Sequence, residues 1–220
     1  MPSLISDRTS PNSNHPYPPA VKEQTGSWLF RHRTALPLPI AAAILLIPAG
    51  HSDRSAELAA AGVAITVLGE AIRLWGVQHI GAISRTRIER VGPLVDTGPF
   101  AHVRNPLYVG NILLWVGFAI TARLPGLASI AFVVFAIEYH FIVRWEERLL
   151  AERLGDRYRD YVARVPRWFP TGTRRARTTE DDDSAVSANA FSWRETLFSE
   201  RGTLIAMSAG YLLLWLKARF

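Results

Sequence analysis

The segment from Gly92 to Gly110 has the composition of a loop whose backbone could bind a ligand. Three glycines and three prolines interrupt it and prevent a regular helix over most of its length. Its amide groups are therefore available to line a pocket, and Pro106 is suited to the first turn of a following helix. Free amides that lead into a helix N-terminus can bind an anion. A plain interhelical loop capped by proline would have the same composition.

A second segment, from Arg144 to Pro170, combines carboxylates with many arginines. Its apolar residues recur at intervals of three and four, which predicts an amphipathic helix that breaks near Gly155. Glu146 and Glu147 stand where this segment leaves an apolar run. Carboxylates there could hold a cationic group of a cofactor. The simpler interpretation is that they pair with neighbouring arginines on a solvated face.

Three ordered blocks of residues in these segments form one pattern. They are Leu94-Val-x-x-Gly98-Pro-Phe-x-x-x-Arg104-Asn-Pro106-x-Tyr108-x-Gly110, then Glu146-Glu147, then Leu154-Gly-x-x-Tyr158-x-x-Tyr161-x-x-x-Val165-Pro166. The pattern resembles the isoprenylcysteine carboxyl methyltransferase family, whose wider kin include the phospholipid N-methyltransferases. The similarity covers roughly Gly69 to Pro170. It implies a bundle of membrane helices whose cytoplasmic loops close over S-adenosylmethionine, with a lipophilic acceptor that enters from the lipid.

The resemblance also implies roles for individual residues. Contacts to the cofactor, mainly by backbone, are implied for Gly98, Pro99, His102 and Val103. Side-chain contacts are implied for Arg104, Asn105 and Tyr108, and Glu147, with Glu146, would hold a polar part of the cofactor. Arg104 and Arg164 correspond to arginines near the site of methyl transfer. Family members often have histidine where this chain has Asn105. Asparagine forms hydrogen bonds but carries no proton charge, which weakens any case for acid–base chemistry there.

A carboxylate acceptor suits these arginines. Methyl transfer from a sulfonium needs positioning and a dry pocket more than a proton relay. A carboxylate needs no general base at neutral pH, and the planar fork of arginine binds it at two points. A carboxylate, such as that of an isoprenoid acid, is therefore the favoured acceptor group. A phospholipid amine and a lipid alcohol stay as alternatives.

Two other functions fit the same residues. Membrane reductases that use NADPH on isoprenoids or sterols have a similar Arg-x-Pro-x-Tyr-x-Gly block and a similar tyrosine-containing tail. The Glu146-Glu147 doublet favours the methyltransferase over such a reductase. A catalytically inactive membrane protein on the same scaffold is the third hypothesis, and Asn105 is the best argument for it.

The apolar runs predict an all-α integral membrane protein with about five transmembrane helices and cytoplasmic loops that close over the cofactor. The predicted spans are 35–50, 57–80, 108–122, 125–143 and 203–216. The last is shorter than the roughly 20 residues of a straight span. Glu70 and Arg73 share one face of the second span and predict an ion pair. The predicted organisation is a disordered tail (1–25), a methyltransferase core (26–177), an acidic linker (178–200) and a C-terminal membrane helix (201–220).

Composition and charge support a membrane location. The net charge is +6, and the mean hydropathy of +0.09 averages long apolar runs with strongly charged segments. Arginines flank the apolar runs, so the predicted partner is a membrane and not nucleic acid. The positive-inside rule places the N-terminus and the active-site loops in the cytoplasm. Cysteine is absent and the histidines lack metal-ligand spacing, so no metal is expected. No obligate protein partner is evident.

Overall fold

The computed structural model describes residues 21–49, 55–81, 94–170 and 192–219. In these ranges the chain forms seven α-helices and no β-strand, so the predicted all-α class is confirmed. The helices are α1 (Val21–His32), α2 (Leu38–Leu46), α3 (Ser55–Ile80), α4 (Pro106–Thr121), α5 (Pro125–Leu154), α6 (Asp156–Arg164) and α7 (Trp193–Lys217). A short 3-10 turn, Gly98–Ala101, precedes α4.

Glycines allow α3 and α4 to pack closely. A Cβ atom added to Gly69 would lie 2.8 Å from the carbonyl oxygen of Gly110, and one added to Gly117 would lie 2.7 Å from that of Gly62. Residue numbers fall along α3 as they rise along α4, so the two helices are antiparallel. Small residues of this kind let backbones approach where helices associate in membranes. The end of α3 therefore lies beside the start of α4 and the loop that leads into it.

The predicted hairpin of α4 and α5 is confirmed. Pro106 and Pro125 begin the two helices, at positions where the missing N–H of proline costs no helical hydrogen bond. α5 has 30 residues and continues past the predicted end at Val143, so the glutamate doublet lies within the helix. It ends at Leu154, directly before Gly155, whose φ is +56°, where the break was predicted.

The N-terminal helices differ from the prediction. α1 begins at Val21, inside the predicted tail (1–25), and packs on α5: a Cβ atom on Gly26 would lie 2.6 Å from the Cβ of Trp145. The predicted first span, 35–50, contains a helix of nine residues. It stops because Ile47 is extended, as expected for a residue that precedes a proline. The rest of the predicted tail, 1–20, lies outside the described residues.

α7 is longer than predicted and contacts the bundle near both of its ends. It starts at Trp193, in the segment assigned to the linker, where Ser192 and Glu195 form a reciprocal capping box. Glu200 binds Arg73 of α3, and Arg73 also donates to Asn111 of α4. The predicted ion pair of Arg73 with Glu70 is present, with 3.4 Å between Nε and Oε2. The Nζ of Lys217 donates to the carbonyl oxygen of Ile44 at 2.7 Å.

The outer surface of the bundle suits a membrane. Ala56–Ile80 and α5 are long and apolar enough to cross a bilayer, and α4 is a shorter apolar helix. Large apolar side chains are exposed on several helices, among them Val67, Phe132, Ile137, Ile205 and Trp215. Exposed apolar surface on this scale marks a membrane or partner contact in a folded protein. Within the described ranges, two of the five predicted spans are long and apolar enough to cross a bilayer.

Candidate active site

The loop before α4 is shaped around Gly98. Gly98 has φ of +58°, a conformation that other residues rarely adopt, and it opens the 3-10 turn. The imidazole of His79, at the end of α3, occupies the space into which a side chain at residue 98 would project. The ring of Trp75 lies 6.1 Å from that of His102, the residue that follows the turn. Both backbone conformation and available space therefore require glycine at this position.

α6 holds the same loop from the opposite side. Leu94 packs against Tyr158, Tyr161 and Val165 in a buried cluster. The hydroxyl of Tyr161 donates to the carbonyl oxygen of Phe100 at 2.8 Å, and burial raises the pKa of Tyr161 well above its usual value, so the donor proton is retained. The backbone N–H of Arg104 donates a hydrogen bond to the Pro166 carbonyl oxygen at 2.9 Å. These contacts join the first and third sequence blocks.

Glu147 binds three side chains at the centre of the site. Its carboxylate pairs with Arg104, with 3.3 Å between Nε and Oε1, and with Arg167, with 2.6 Å between Nη2 and Oε2. The Asn105 amide donates to Oε1 at 3.3 Å. Hydrogen bonding to Glu147 raises the pKa of the Arg167 guanidinium, so Arg167 keeps its positive charge. Two cations around one carboxylate leave this group of residues with a net positive charge.

Glu146 points to a different cluster. Its Oε1 accepts a hydrogen bond from the Tyr108 hydroxyl at 3.0 Å, and the Tyr108 ring lies 4.8 Å from that of Tyr139. Consecutive residues of a helix project roughly 100° apart. The glutamate doublet therefore serves two neighbouring clusters, and Glu147 is the member that meets the loop arginine.

Arg104 is buried, yet part of its guanidinium lacks a hydrogen-bond partner. The side chain is 9% exposed, and among the described residues neither Nε nor Nη1 has a partner within hydrogen-bond geometry. A buried donor left in this way costs about 1–3 kcal/mol. An anionic ligand would supply the missing acceptors and would match the planar fork of the guanidinium.

Comparison with known proteins identifies the family. The model of the phospholipid methyltransferase family matches residues 58–157. The nickel-cobalt-cadmium resistance protein NccN of Alcaligenes xylosoxydans xylosoxydans is 31% identical over 157 residues, which cover 69% of this chain and 70% of that protein. The chain belongs to the phospholipid methyltransferase family. This family includes the isoprenylcysteine carboxyl methyltransferases, so the resemblance noted in the sequence is confirmed.

A second protein similar to this chain is also named for metal resistance. The cobalt-zinc-cadmium resistance protein CzcN of Cupriavidus metallidurans is 29% identical over 109 residues, which cover 50% of this chain and 46% of that protein. The phospholipid methyltransferase match ends at residue 157. It therefore stops before Arg164, Arg167 and α7.

Many of the predicted site residues lie close together in the structure of this phospholipid methyltransferase family member. Arg104, Asn105 and Glu147 are in direct contact, and Tyr108 and Glu146 form the adjoining pair. Gly98, Pro99, His102 and Val103 lie in or directly after the 3-10 turn. Arg164 is placed at the end of α6, where its Nε donates to the Asp160 carbonyl oxygen at 3.2 Å. Its role in catalysis stays a prediction.

Arg167 is a residue of the site that the sequence did not single out. It is one of ten arginines between residues 144 and 177, and its spacing does not set it apart. It reaches Glu147 because the chain after α6 turns back along the loop, where the Pro166 carbonyl accepts from Arg104. No local pattern predicts that contact.

Proposed function

We propose that this chain is an S-adenosylmethionine-dependent membrane methyltransferase that methylates the carboxylate of a lipophilic acceptor, such as an isoprenoid acid. Family membership supports methyl transfer in a membrane. The observation that carries the finer proposal is the buried Arg104 guanidinium beside Glu147, whose Nε and Nη1 have no hydrogen-bond partner among the described residues. A cation in this setting can hold an anionic acceptor without a proton relay.

The residues around the loop fit the proposed cofactor. S-adenosylmethionine would supply an electrophilic methyl group on a positively charged sulfur. In our proposal the Glu147 carboxylate binds its ammonium group, and the backbone at Gly98, Pro99, His102 and Val103 binds its other polar groups. Side chains that complete the proposed set are Arg104, Asn105, Tyr108 and Glu146. The donor set is rich in both carboxylates and cations, which suits a zwitterionic molecule.

The proposed acceptor site uses Arg104 and Arg164. Two guanidinium groups would fix the acceptor carboxylate in line with the methyl carbon. S-adenosylmethionine would supply the methyl group to a carboxylate oxygen, and the products would be a methyl ester and a neutral thioether. Arg104 and Arg164 would hold the carboxylate, and no residue would need to accept a proton. In our proposal, arginine and asparagine surround the acceptor. The proposal assigns no general base among them, which agrees with a methyl transfer that needs none.

The orientation of the bundle is part of the proposal. We infer five membrane helices, with α2, α4 and α7 as the shorter or more polar spans beside α3 and α5. The arginine-rich segments around the site would lie on the cytoplasmic side, as the positive-inside rule requires. The acceptor would reach the site laterally from the bilayer.

Binding measurements test the cofactor and separate the alternatives. The full chain in detergent is titrated with S-adenosylmethionine and, separately, with NADPH. We expect binding of the former, and Glu147→Gln should weaken it at least tenfold, since a hydrogen bond to a charged group contributes about 1.5–3 kcal/mol. Glu152→Gln, an exposed glutamate further along α5, is the matched control. Binding of NADPH alone would point to a reductase, and binding of neither to an inactive scaffold.

The metal-resistance relatives suggest a biological setting. We propose that the methylation contributes to tolerance of divalent metals, as the names of NccN and CzcN suggest for those proteins. Within the described ranges, no group of three metal-binding side chains occurs. The contribution would come through the product: esterification removes anionic oxygens that bind divalent cations. Growth of a deletion strain in nickel, cobalt, cadmium and zinc, with and without the Glu147→Gln gene, tests this; equal growth in all cases would oppose it.

A further inference from the structure

The two arginines on Glu147 hold it in different ways. Arg167 takes both carboxylate oxygens: its Nε lies 3.1 Å from each, and its Nη2 lies 2.6 Å from Oε2. Arg104 approaches Oε1 at 3.3 Å, outside hydrogen-bond geometry. The closest charge contact that Glu147 makes is therefore with Arg167.

The two guanidiniums also differ in burial. The Arg104 side chain is 9% exposed, and the Arg104 backbone N–H donates a hydrogen bond to the Pro166 carbonyl oxygen. Arg104 is therefore fixed within the loop. The Arg167 side chain is 32% exposed, at the edge of the site. The Asn105 amide donates to the Arg167 carbonyl oxygen at 3.5 Å. The backbone of Arg167 is thus tied to the loop, while its side chain is the more exposed of the two guanidiniums.

Any other cation that binds Glu147 must compete with Arg167. A carboxylate has two oxygens and about four lone-pair positions, and four hydrogen bonds from Arg167 and Asn105 already occupy them, two on each oxygen. An ammonium group approaching the same oxygens would have to displace the more exposed donor, since moving Arg104 would leave a buried charge unpaired.

We propose that Arg167 is a gating residue that competes with the cofactor for Glu147 and swings away when the ammonium group of S-adenosylmethionine binds. This inference rests on the proposed function, in which Glu147 holds that group. A site that is free for only part of the time binds with an affinity reduced by that fraction. Arg167 therefore lowers cofactor affinity, which is the opposite of what a cofactor-binding arginine would do.

The test compares two arginine variants by calorimetric titration of the full chain with S-adenosylmethionine. Arg167→Gln removes the charged fork, and Arg159→Gln removes an exposed arginine that pairs with Asp156 on α6. Both variants lose one positive charge, so a general electrostatic effect would appear in both. We expect Arg167→Gln to bind the cofactor about three- to tenfold more tightly and Arg159→Gln to stay within twofold. Equal or weaker binding by Arg167→Gln overturns the inference.

Two further measurements keep the outcome clear. Arg167→Lys retains the charge but loses the planar fork, so its affinity for the cofactor should lie between those of the wild type and Arg167→Gln. Thermal unfolding measures whether each variant is folded. Wild-type binding that is weakened by Glu147→Gln supports the proposed function whatever Arg167 does. Absence of cofactor binding to the wild type overturns the proposed function and this inference together.

Discussion

The side-chain amide of Asn105 donates to the Glu147 carboxylate, with 3.3 Å between Nδ2 and Oε1. Asparagine at this position therefore orients the central carboxylate without adding charge. Histidine, which family members often have here, could do the same through a ring N–H. The absence of histidine is thus compatible with an active site and weakens the argument for an inactive scaffold.

We expect Asn105→His to leave cofactor affinity within about threefold, because the donor is preserved. Asn105→Asp should weaken binding more than tenfold, since a second carboxylate repels Glu147 and donates no hydrogen bond. Titration with S-adenosylmethionine measures both variants. Equal cofactor affinities for Asn105→Asp and Asn105→His would show that the contact between residue 105 and Glu147 has no influence on cofactor binding.

Gly98→Ala should destabilise the loop for two reasons. The positive φ costs a residue with a side chain about 1–2 kcal/mol, and the new methyl group would overlap the His79 ring. Gly126→Ala is the matched control, since it has open space in the first turn of α5. We expect Gly98→Ala to lower the melting temperature and Gly126→Ala to leave it nearly unchanged. Equal melting temperatures for the two variants would show that position 98 does not require glycine.

Arg164→Lys should reduce turnover of a carboxylate acceptor about ten- to a hundredfold, because lysine keeps the charge but loses the planar fork. Cofactor affinity should be unchanged. Turnover of the wild type should be flat between about pH 6 and 9, since a carboxylate is already ionised there. Transfer of labelled methyl groups to a lipid extract measures the turnover of both proteins, and titration with S-adenosylmethionine measures the cofactor affinity. A rate that rises with pH, together with an unaffected variant, would indicate an amine acceptor.

Glu200→Gln should destabilise the bundle by about 2 kcal/mol, because it removes a buried carboxylate from Arg73. For a chain of this length that corresponds to about 4–8 °C in Tm. Arg201→Gln is the matched control, since Arg201 is exposed and contacts Phe198 of its own helix. Equal Tm values for the two variants would mean that α7 does not depend on this ion pair.

The absence of cysteine allows a direct test of orientation. Residue 159, changed to cysteine in Arg159→Cys, lies on α6, and residue 126, changed in Gly126→Cys, lies in the first turn of α5. With the site in the cytoplasm, a membrane-impermeant thiol reagent should label residue 126 in intact cells and residue 159 only after lysis. The reverse pattern would invert the proposed orientation.

Local chemistry explains what the sequence could predict. Apolar runs between charged loops predict α3, α4 and α5, and a glycine at Gly155 predicts the break before α6. The early start of α7 also had a local signal, since Ser192 and Glu195 have the spacing of a capping box. Contacts between distant segments had none. The Arg167–Glu147 pair depends on how the chain turns after α6, and the Arg73–Glu200 pair depends on where α7 packs.

The Arg73–Glu200 contact has a consequence for biogenesis. The two residues are 127 positions apart. At about 5–20 residues per second, a ribosome needs roughly 6–25 s to reach Glu200 after Arg73. Before Glu200 is made, the nascent chain already contains Glu70 and Asn111, which can bind Arg73. A helix made later therefore completes the charge balance of a helix inserted much earlier, and this contact between α3 and α7 can form only after Glu200 has been made.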